Sequence, residues 1–344
     1  MNANSGGAEI TFAPHNVRSF VHTCVWHIVR PFVNPAPPLF RHVWGSHMCV
    51  AVRAECLACR NGVAIFDQSY FGNWTLSGPD ALTAVQYLCS SDFSKKQVGT
   101  VTYTTLCNSR GGVEADLTVA RLAEDRFYFS AGGQTRSKDR WWIERILEGR
   151  GLDVELLEES DEVSILSIQG PHSKRMLEGI FAGAGDLDME FSSARFLNVG
   201  GKDVLVMRLT FVGELGFELH CKVGDAGELY EIIKAAGVEY RNRVGVPVLD
   251  AGYRAIDSLS AEKGYRHYHA DLSNSDTPME AGIGFTALPK LKGWVDFLGR
   301  EALQVSHTAR RKFNQQTHAN EGGGDVNRAA NKRGSKRTVQ NAVT

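Results

Sequence analysis

LTFVGELGFELH (209–220) is the stretch on which the reading of this chain turns. Gly213 and Gly216 permit a tight turn, and carboxylates flank it at Glu214 and Glu218. Beyond the turn, Glu218 alternates with Phe217 and Leu219, so a strand puts the acid on the face opposite the apolar pair. A helix follows, and then AGYRAIDSLSAEKGYRHYHADL (251–272) adds Arg254, Asp257, Glu262, Arg266 and Asp271 beside Tyr253 and Tyr268. Arg254 and Asp257 are spaced i, i+3, as a pair on one helix face would be. Acids, arginines and aromatic rings in this mixture suit a flat polar ligand that carries acidic groups of its own.

A second piece lies upstream. Thr100–Asn108, the turn Ser109-Arg-Gly-Gly112 and Val113–Leu122 read as a β-hairpin. With the turn centred on Arg110-Gly111, Thr105 faces Asp116, and Tyr103 lies diagonally on the same face. Glu114, Asp116 and Thr118 then share the polar side, while Ala115, Leu117 and Val119 face the core. Further strands are expected over Val63–Asp67, Gly72–Leu76, Phe127–Ala131, Val163–Gln169, Lys202–Thr210 and Gly216–Cys221. Helices are expected from Ser77 to about Ser90, over Arg136–Gly149, from Gly170-Pro171 to about Gly179, over Ala226–Ala236 and over Ala251–Lys263. Strand pairs joined by tight turns predominate, which predicts an α+β fold with antiparallel sheets and packed helices rather than a doubly wound one.

The 344 residues leave room for two or three domains. No apolar run approaches the ~20 residues that cross a bilayer, so no membrane partner is expected. Net charge is −1, but it is unevenly spread. Residues 1–54 carry Arg18, Arg30, Arg41 and Arg53 against Glu9 alone, and residues 309–344 carry a basic excess. The stretch between them is therefore acidic, and no basic stripe runs along it, which argues against a nucleic-acid partner. The acid-poor, Arg-bearing segment 1–54 has some of the character of an organelle transit peptide, broken by Pro35-Ala-Pro37-Pro38. Residues 55–308 read as the folded region. Residues 309–344, rich in Asn, Gly, Arg and Lys with hardly any large apolar side chain, read as a disordered tail.

Seven scattered cysteines in a long chain read as free thiols, with Cys56 and Cys59 packed near a strand start. A single CxxC makes no four-ligand zinc site. His267-Tyr-His269 places two imidazoles on one strand face, but no third ligand is in position, so no metal is assigned. No Walker A run or GxSxG elbow occurs. Gly282-Ile-Gly284-Phe-Thr-Ala287 has GxGxxG-like spacing, but Leu288-Pro289 follows at once and no helix is expected there to receive a pyrophosphate.

Eight segments in order resemble one family: AIFDQSYFG (64–72), LSGPDA (76–81), NSRGGVEADLTV (108–119), SIQGP (167–171), FVGELGFELH (211–220), GYRAIDSLSAEKGYRHYHADL (252–272), TPMEAG (277–282) and FLGREAL (297–303). The chain resembles the folate-binding, aminomethyltransferase-type region of the glycine-cleavage T-protein superfamily. Within it, the C-terminal half of sarcosine and dimethylglycine dehydrogenases is most similar. The resemblance implies a T-protein-like fold, with tetrahydrofolate as cofactor. It implies that Asp116 is the catalytic acid near the folate nitrogens. Tyr103, Phe71, Phe211 (where the family often has Tyr), Glu218, Arg254 and Tyr268 match cofactor-binding positions. By this match a pterin's adjacent N–H donors go to Glu218, its plane to aromatic walls, its anionic end to Arg254, and a proton released on one-carbon transfer to Asp116.

Against the family pattern, neither a large N-terminal flavin (FAD) domain nor the small C-terminal barrel is visible in this chain. The expected function is a one-carbon-accepting module of sarcosine dehydrogenase type, partnered by tetrahydrofolate and a flavoprotein amine dehydrogenase domain. The resemblance places it in the mitochondrial matrix, with the cytoplasm as the other location considered. An aminomethyltransferase of the glycine cleavage system and a non-catalytic scaffold subunit are the alternatives.

Overall fold

The computed structural model describes residues 40–308, apart from 182 and 184. The expectations for the tail 309–344 and for most of the N-terminal segment lie outside the described residues. Strands are β1 (Val63–Asp67), β2 (Gly72–Ser77), β3 (Val101–Cys107), β4 (Val113–Ala123), β5 (Arg126–Ala131), β6 (Glu155–Glu158), β7 (Val163–Gln169), β8 (Ala194–Val199), β9 (Lys202–Met207), β10 (Gly216–Lys222) and β11 (Val248–Ala251). Helices are α1 (Phe40–Asn61), α2 (Ala81–Leu88), α3 (Arg136–Leu147), α4 (Ser173–Leu177), α5 (Ala226–Val244), α6 (Tyr253–Lys263) and α7 (Leu288–Gly293).

The strands form two sheets. One has the order β11-β1-β7-β10-β9-β8 and the other β3-β4-β5-β2-β6. Neighbours run antiparallel except β1 and β11. The α+β class with antiparallel sheets is therefore the observed architecture.

Period-2 alternation divides each sheet into an apolar outer face and an inner face of mixed apolar and polar side chains. In the larger sheet, Val63, Ile65, Ile168, Phe217 and Leu219 pack with Met176 and Leu177 of α4 and with Leu229 and Ile233 of α5. In the smaller sheet, Leu117, Val119, Phe127 and Phe129 pack with Ala84, Val85 and Leu88 of α2 and Ile143 of α3. The opposite faces meet each other: Val101, Ala120 and Tyr128 of the smaller sheet contact Ala194, Leu205 and Met207 of the larger. Helices α1 and α6 close the other end of that inner face through Cys59, Phe66, Ala255 and Leu259.

The hairpin register is as the spacing predicts. Thr105 pairs with Asp116 and Tyr103 with Thr118, and a register shift follows at Leu106/Cys107. Asn108 builds the turn, its Oδ1 accepting from the N–H of Arg110 at 2.9 Å and of Gly112 at 3.0 Å.

Several elements differ from expectation. Helix α5 continues to Val244, because Gly237 interrupts nothing: a Cβ there would stand 2.9 Å from Val248 Cγ1, so the glycine lets β11 approach the helix. Helix α7 forms where Leu288-Pro289 excluded one. Proline falls in its first turn, where the missing N–H costs nothing. Lys290 on α7 is fully buried and donates to the Gln86 and Cys89 carbonyls at the end of α2, which ties the two helices together. Strands β6, β8 and β11 were not anticipated. Cys56 and Cys59 lie one turn apart near the end of α1, just before β1, and Cys59 packs with Ala64 and Phe66 of that strand; both are free thiols.

Candidate functional site

Between the inner faces of the two sheets lies a cavity of about 1180 Å³. Asp116 and Tyr103 reach it from the hairpin, and Glu218 from β10 in the opposing sheet. Phe71, Phe211 and Tyr268 line it as well, so six of the seven sequence-derived positions share one space. Arg254 is the exception. It is exposed on α6 and does not line the cavity. The helix turns Ala255, Ile256, Leu259 and Ser260 inward, and position 254 falls on the outer side of that stripe. Nor does an ion pair join it to Asp257 among the described residues. Arg266, in the segment after α6, lines the cavity instead.

Asp116 Oδ2 accepts the Tyr103 hydroxyl at 3.0 Å. Burial pushes the Asp116 carboxyl above the ordinary carboxylate range, opposed by the Tyr103 hydroxyl, by the nearby His267 and by the Tyr268 N–H. Burial, and then the Asp116 charge, push the Tyr103 phenol upward, so it remains a hydrogen-bond donor. Aromatic walls surround this pair. Tyr103 stands beside Phe285 at 6.2 Å between ring centres, Phe211 meets His267 edge-on at 4.9 Å, and Tyr70 bridges Phe71 at 5.1 Å and Tyr253 at 5.9 Å. The Lys138 ammonium lies 4.1 Å from the Tyr268 ring centre.

The glycine turn is held from two sides. Thr210 Oγ1 accepts from the N–H of Val212, Gly213 and Glu214, at 3.3, 2.9 and 3.2 Å. Gly213 sits at φ +73°, a left-handed conformation that glycine adopts without strain. Arg60 of α1 donates to the Val212 carbonyl at 2.6 Å, to Glu214 at 2.9 Å and to Glu262 at 2.8 Å. Glu214 and Glu262 are thus spent on clamping the turn to α6. Phe217, on the opposite face from Glu218 as the alternation predicts, is fully buried in the core behind the site. Glu218 is 7% exposed, and its Oε2 lies 3.5 Å from His220 Nε2.

His267 and His269 do not share a strand face. The Asp271 N–H donates to the His267 carbonyl and the His269 N–H to the Leu272 carbonyl, so the segment is a turn with His269 at φ +73°. His267 Nε2 is engaged by Ser260 Oγ at 2.9 Å. No group of three metal-ligating side chains occurs among the described residues. No helix there is long and apolar enough to cross a membrane. Tyr70 and His267 line the cavity without having been expected there as ligand-binding residues, whereas Arg266 belonged to the expected cluster of acids, arginines and rings but was not matched to a cofactor position. Only nearness in sequence to Phe71 and Tyr268 marked Tyr70 and His267.

Comparisons with known proteins agree with this architecture. The chain is 42% identical to human mitochondrial sarcosine dehydrogenase over 274 residues, which is 75% of this chain and 29% of that protein. It is 35% identical to the aminomethyltransferase of Symbiobacterium thermophilum over 256 residues, 74% of this chain and 66% of that one. It superposes on glycine cleavage system aminomethyltransferase T from Bartonella henselae with a TM-score of 0.66 at 25% identity, covering 75% of this chain and 66% of that one. The chain thus spans under a third of its sarcosine dehydrogenase relatives and about two thirds of its aminomethyltransferase relatives. The family model for the GCVT N-terminal domain matches residues 15–290. With that match covering most of its length, the chain belongs to the GCVT N-terminal domain family.

Proposed function

We propose that the cavity holds tetrahydrofolate and that the chain accepts one carbon at the formaldehyde level, as the one-carbon module of a sarcosine-dehydrogenase-type enzyme. One observation carries the reading: Asp116 and Glu218 reach one aromatic-walled cavity from opposite sheets. The residues fit the cofactor. Glu218 accepts the paired N–H donors of a pterin edge, as a carboxylate does best in parallel geometry. Phe71, Phe211, Tyr103 and Tyr268 enclose a planar ring system. Arg266 meets the anionic end in place of the expected Arg254. Bound tetrahydrofolate supplies the amine nitrogens that take up the carbon. Asp116, oriented by Tyr103, takes the proton released there, and burial makes it a stronger base than a solvated aspartate.

Greater identity to sarcosine dehydrogenase than to the aminomethyltransferases supports the donor type. A flavoprotein amine dehydrogenase domain then delivers the carbon as an iminium. The human and mouse relatives are named as mitochondrial, and we assign this chain to the same compartment. A second reading, aminomethyl transfer from a lipoyl carrier, rests on the superposition with aminomethyltransferase T.

Titration with tetrahydrofolate, read by tryptophan fluorescence, tests the cofactor; no saturable quenching removes the reading. Formaldehyde consumption with tetrahydrofolate, against ammonia release from an aminomethyl-lipoyl donor, separates the two donors.

A further inference from the structure

Behind Glu218, away from the cavity, lies a buried polar chain that the functional reading leaves unused. The Tyr128 hydroxyl is 3.0 Å from His220 Nδ1, and His220 Nε2 is 3.5 Å from Glu218 Oε2. All three side chains are buried, His220 at 3% exposure. Tyr128 comes from β5 of the smaller sheet, whereas His220 and Glu218 share β10 of the larger, so the chain bridges the two sheets under the cavity floor.

The contacts favour one imidazole tautomer, with Nδ1 bare and Nε2 protonated. Burial holds the Tyr128 phenol far above its ordinary range, so its proton stays on oxygen. That hydroxyl's hydrogen-bond partner is His220 Nδ1. If Tyr128 donates to Nδ1, the ring proton sits on Nε2 and points at the carboxylate. The opposite tautomer would set a bare Nε2 lone pair against a carboxylate oxygen. Nε2 otherwise has no hydrogen-bond partner, and 3.5 Å exceeds the roughly 2.8 Å of a full charge-assisted bond.

We propose that His220, held by Tyr128, is a positioning residue that orients the Glu218 carboxylate so that both oxygens meet the paired N–H donors of the ligand. The proposal rests on the folate reading of the cavity. A carboxylate has enough lone pairs to accept from His220 on one side and from two ligand donors on the other. The effect of His220 is therefore on discrimination between ligands that have and lack those donors, beyond any effect on packing.

Two measurements on the full chain test it. Nitrogen-15 NMR of labelled histidine in the ligand-free protein should show His220 protonated on Nε2 and bare on Nδ1; protonation on Nδ1 alone overturns the proposal. Affinities for tetrahydrofolate and its 2-desamino analogue are then compared. His220→Asn keeps a polar atom facing Tyr128 but loses the donor toward Glu218, and should cut the preference for tetrahydrofolate by about tenfold. His220→Gln restores an N–H near the Nε2 position and should hold that preference within about threefold. Should His220→Asn not fold, Tyr128→Phe keeps the ring and releases the tautomer, and should lower the preference by about threefold. Variants that weaken both ligands equally overturn the positioning role. A wild-type chain that binds neither ligand removes the folate reading, and the NMR result then decides the His220 geometry independently.

Discussion

The two faces of the same strands do different work. On β10, Phe217 and Leu219 enter a dry core with α4 and α5, while Glu218 and His220, one residue away, face the opposing sheet. On β4, Leu117 and Val119 pack under α2 and α3, while Asp116 and Thr118 wall the cavity. The outer faces bury apolar surface and carry stability. The inner faces hold acids in a desolvated space, which costs stability and which the proposed one-carbon chemistry uses. Substitutions one residue apart should therefore separate folding from function.

The widest separation is expected for Phe217→Ala. Its ring is fully buried, so truncation should cost about 3–5 kcal/mol in urea unfolding. Loss of ligand binding there should track the unfolded fraction. Asp116→Asn is the inverse case. Unfolding should be nearly unchanged, tetrahydrofolate affinity should stay within about threefold, and one-carbon transfer should fall at least about a hundredfold. Because burial raises the Asp116 pKa, the acid limb of the wild-type rate profile should lie above the ~3.9 of a solvated aspartate. Full transfer activity in Asp116→Asn would break the division between the faces.

Asp139, in the first turn of α3, shows the same tension in pH terms. Burial lifts its pKa to about 6; the Thr135 hydroxyl and Lys138 oppose the shift and the Asp116 charge adds to it. A folded-state pKa above the unfolded value means that the native state binds more protons between about 4 and 6. Stability from this group is thus present below about pH 4 and lost as pH rises through about 6, by an amount on the order of 3 kcal/mol. Asp139→Asn, which cannot titrate, should flatten the melting temperature over that window. An unchanged slope would show that the group is solvated.

Much of this contrast was legible in the residues. Strict alternation placed Asp116 and Glu218 opposite apolar neighbours, and the turn fixed the hairpin register. Strands β6, β8 and β11 were not legible for three physical reasons. Glu155-Leu-Leu-Glu158 is a four-residue edge with charged ends. Arg195 and Phe196 leave the β8 edge exposed. Val248–Ala251 is short, and its parallel partner β1 lies far away in sequence. The place of His267 and Arg266 depends on a turn that the Ser260 and Asp271 contacts hold, and no period announces such a turn. Arg254 was assigned by family position, although the apolar stripe Ala255, Ile256 and Leu259 already put it outside.

Glu218→Gln should leave unfolding within about 1 kcal/mol of wild type and weaken tetrahydrofolate about tenfold, because the amide presents one acceptor where the carboxylate presents two. The smallest effect sharpens the question of which arginine meets the ligand. Arg266 lines the cavity at its exposed rim, where solvent and salt screen a charge, so Arg266→Ala should weaken tetrahydrofolate only about threefold. That loss should shrink as ionic strength rises from about 0.05 to 0.5 M. Arg254→Ala, outside the lining, should bind as wild type at every salt concentration. If Arg254→Ala carried the salt-dependent loss and Arg266→Ala did not, the anionic end would lie over α6. The ligand-binding face would then extend around that helix.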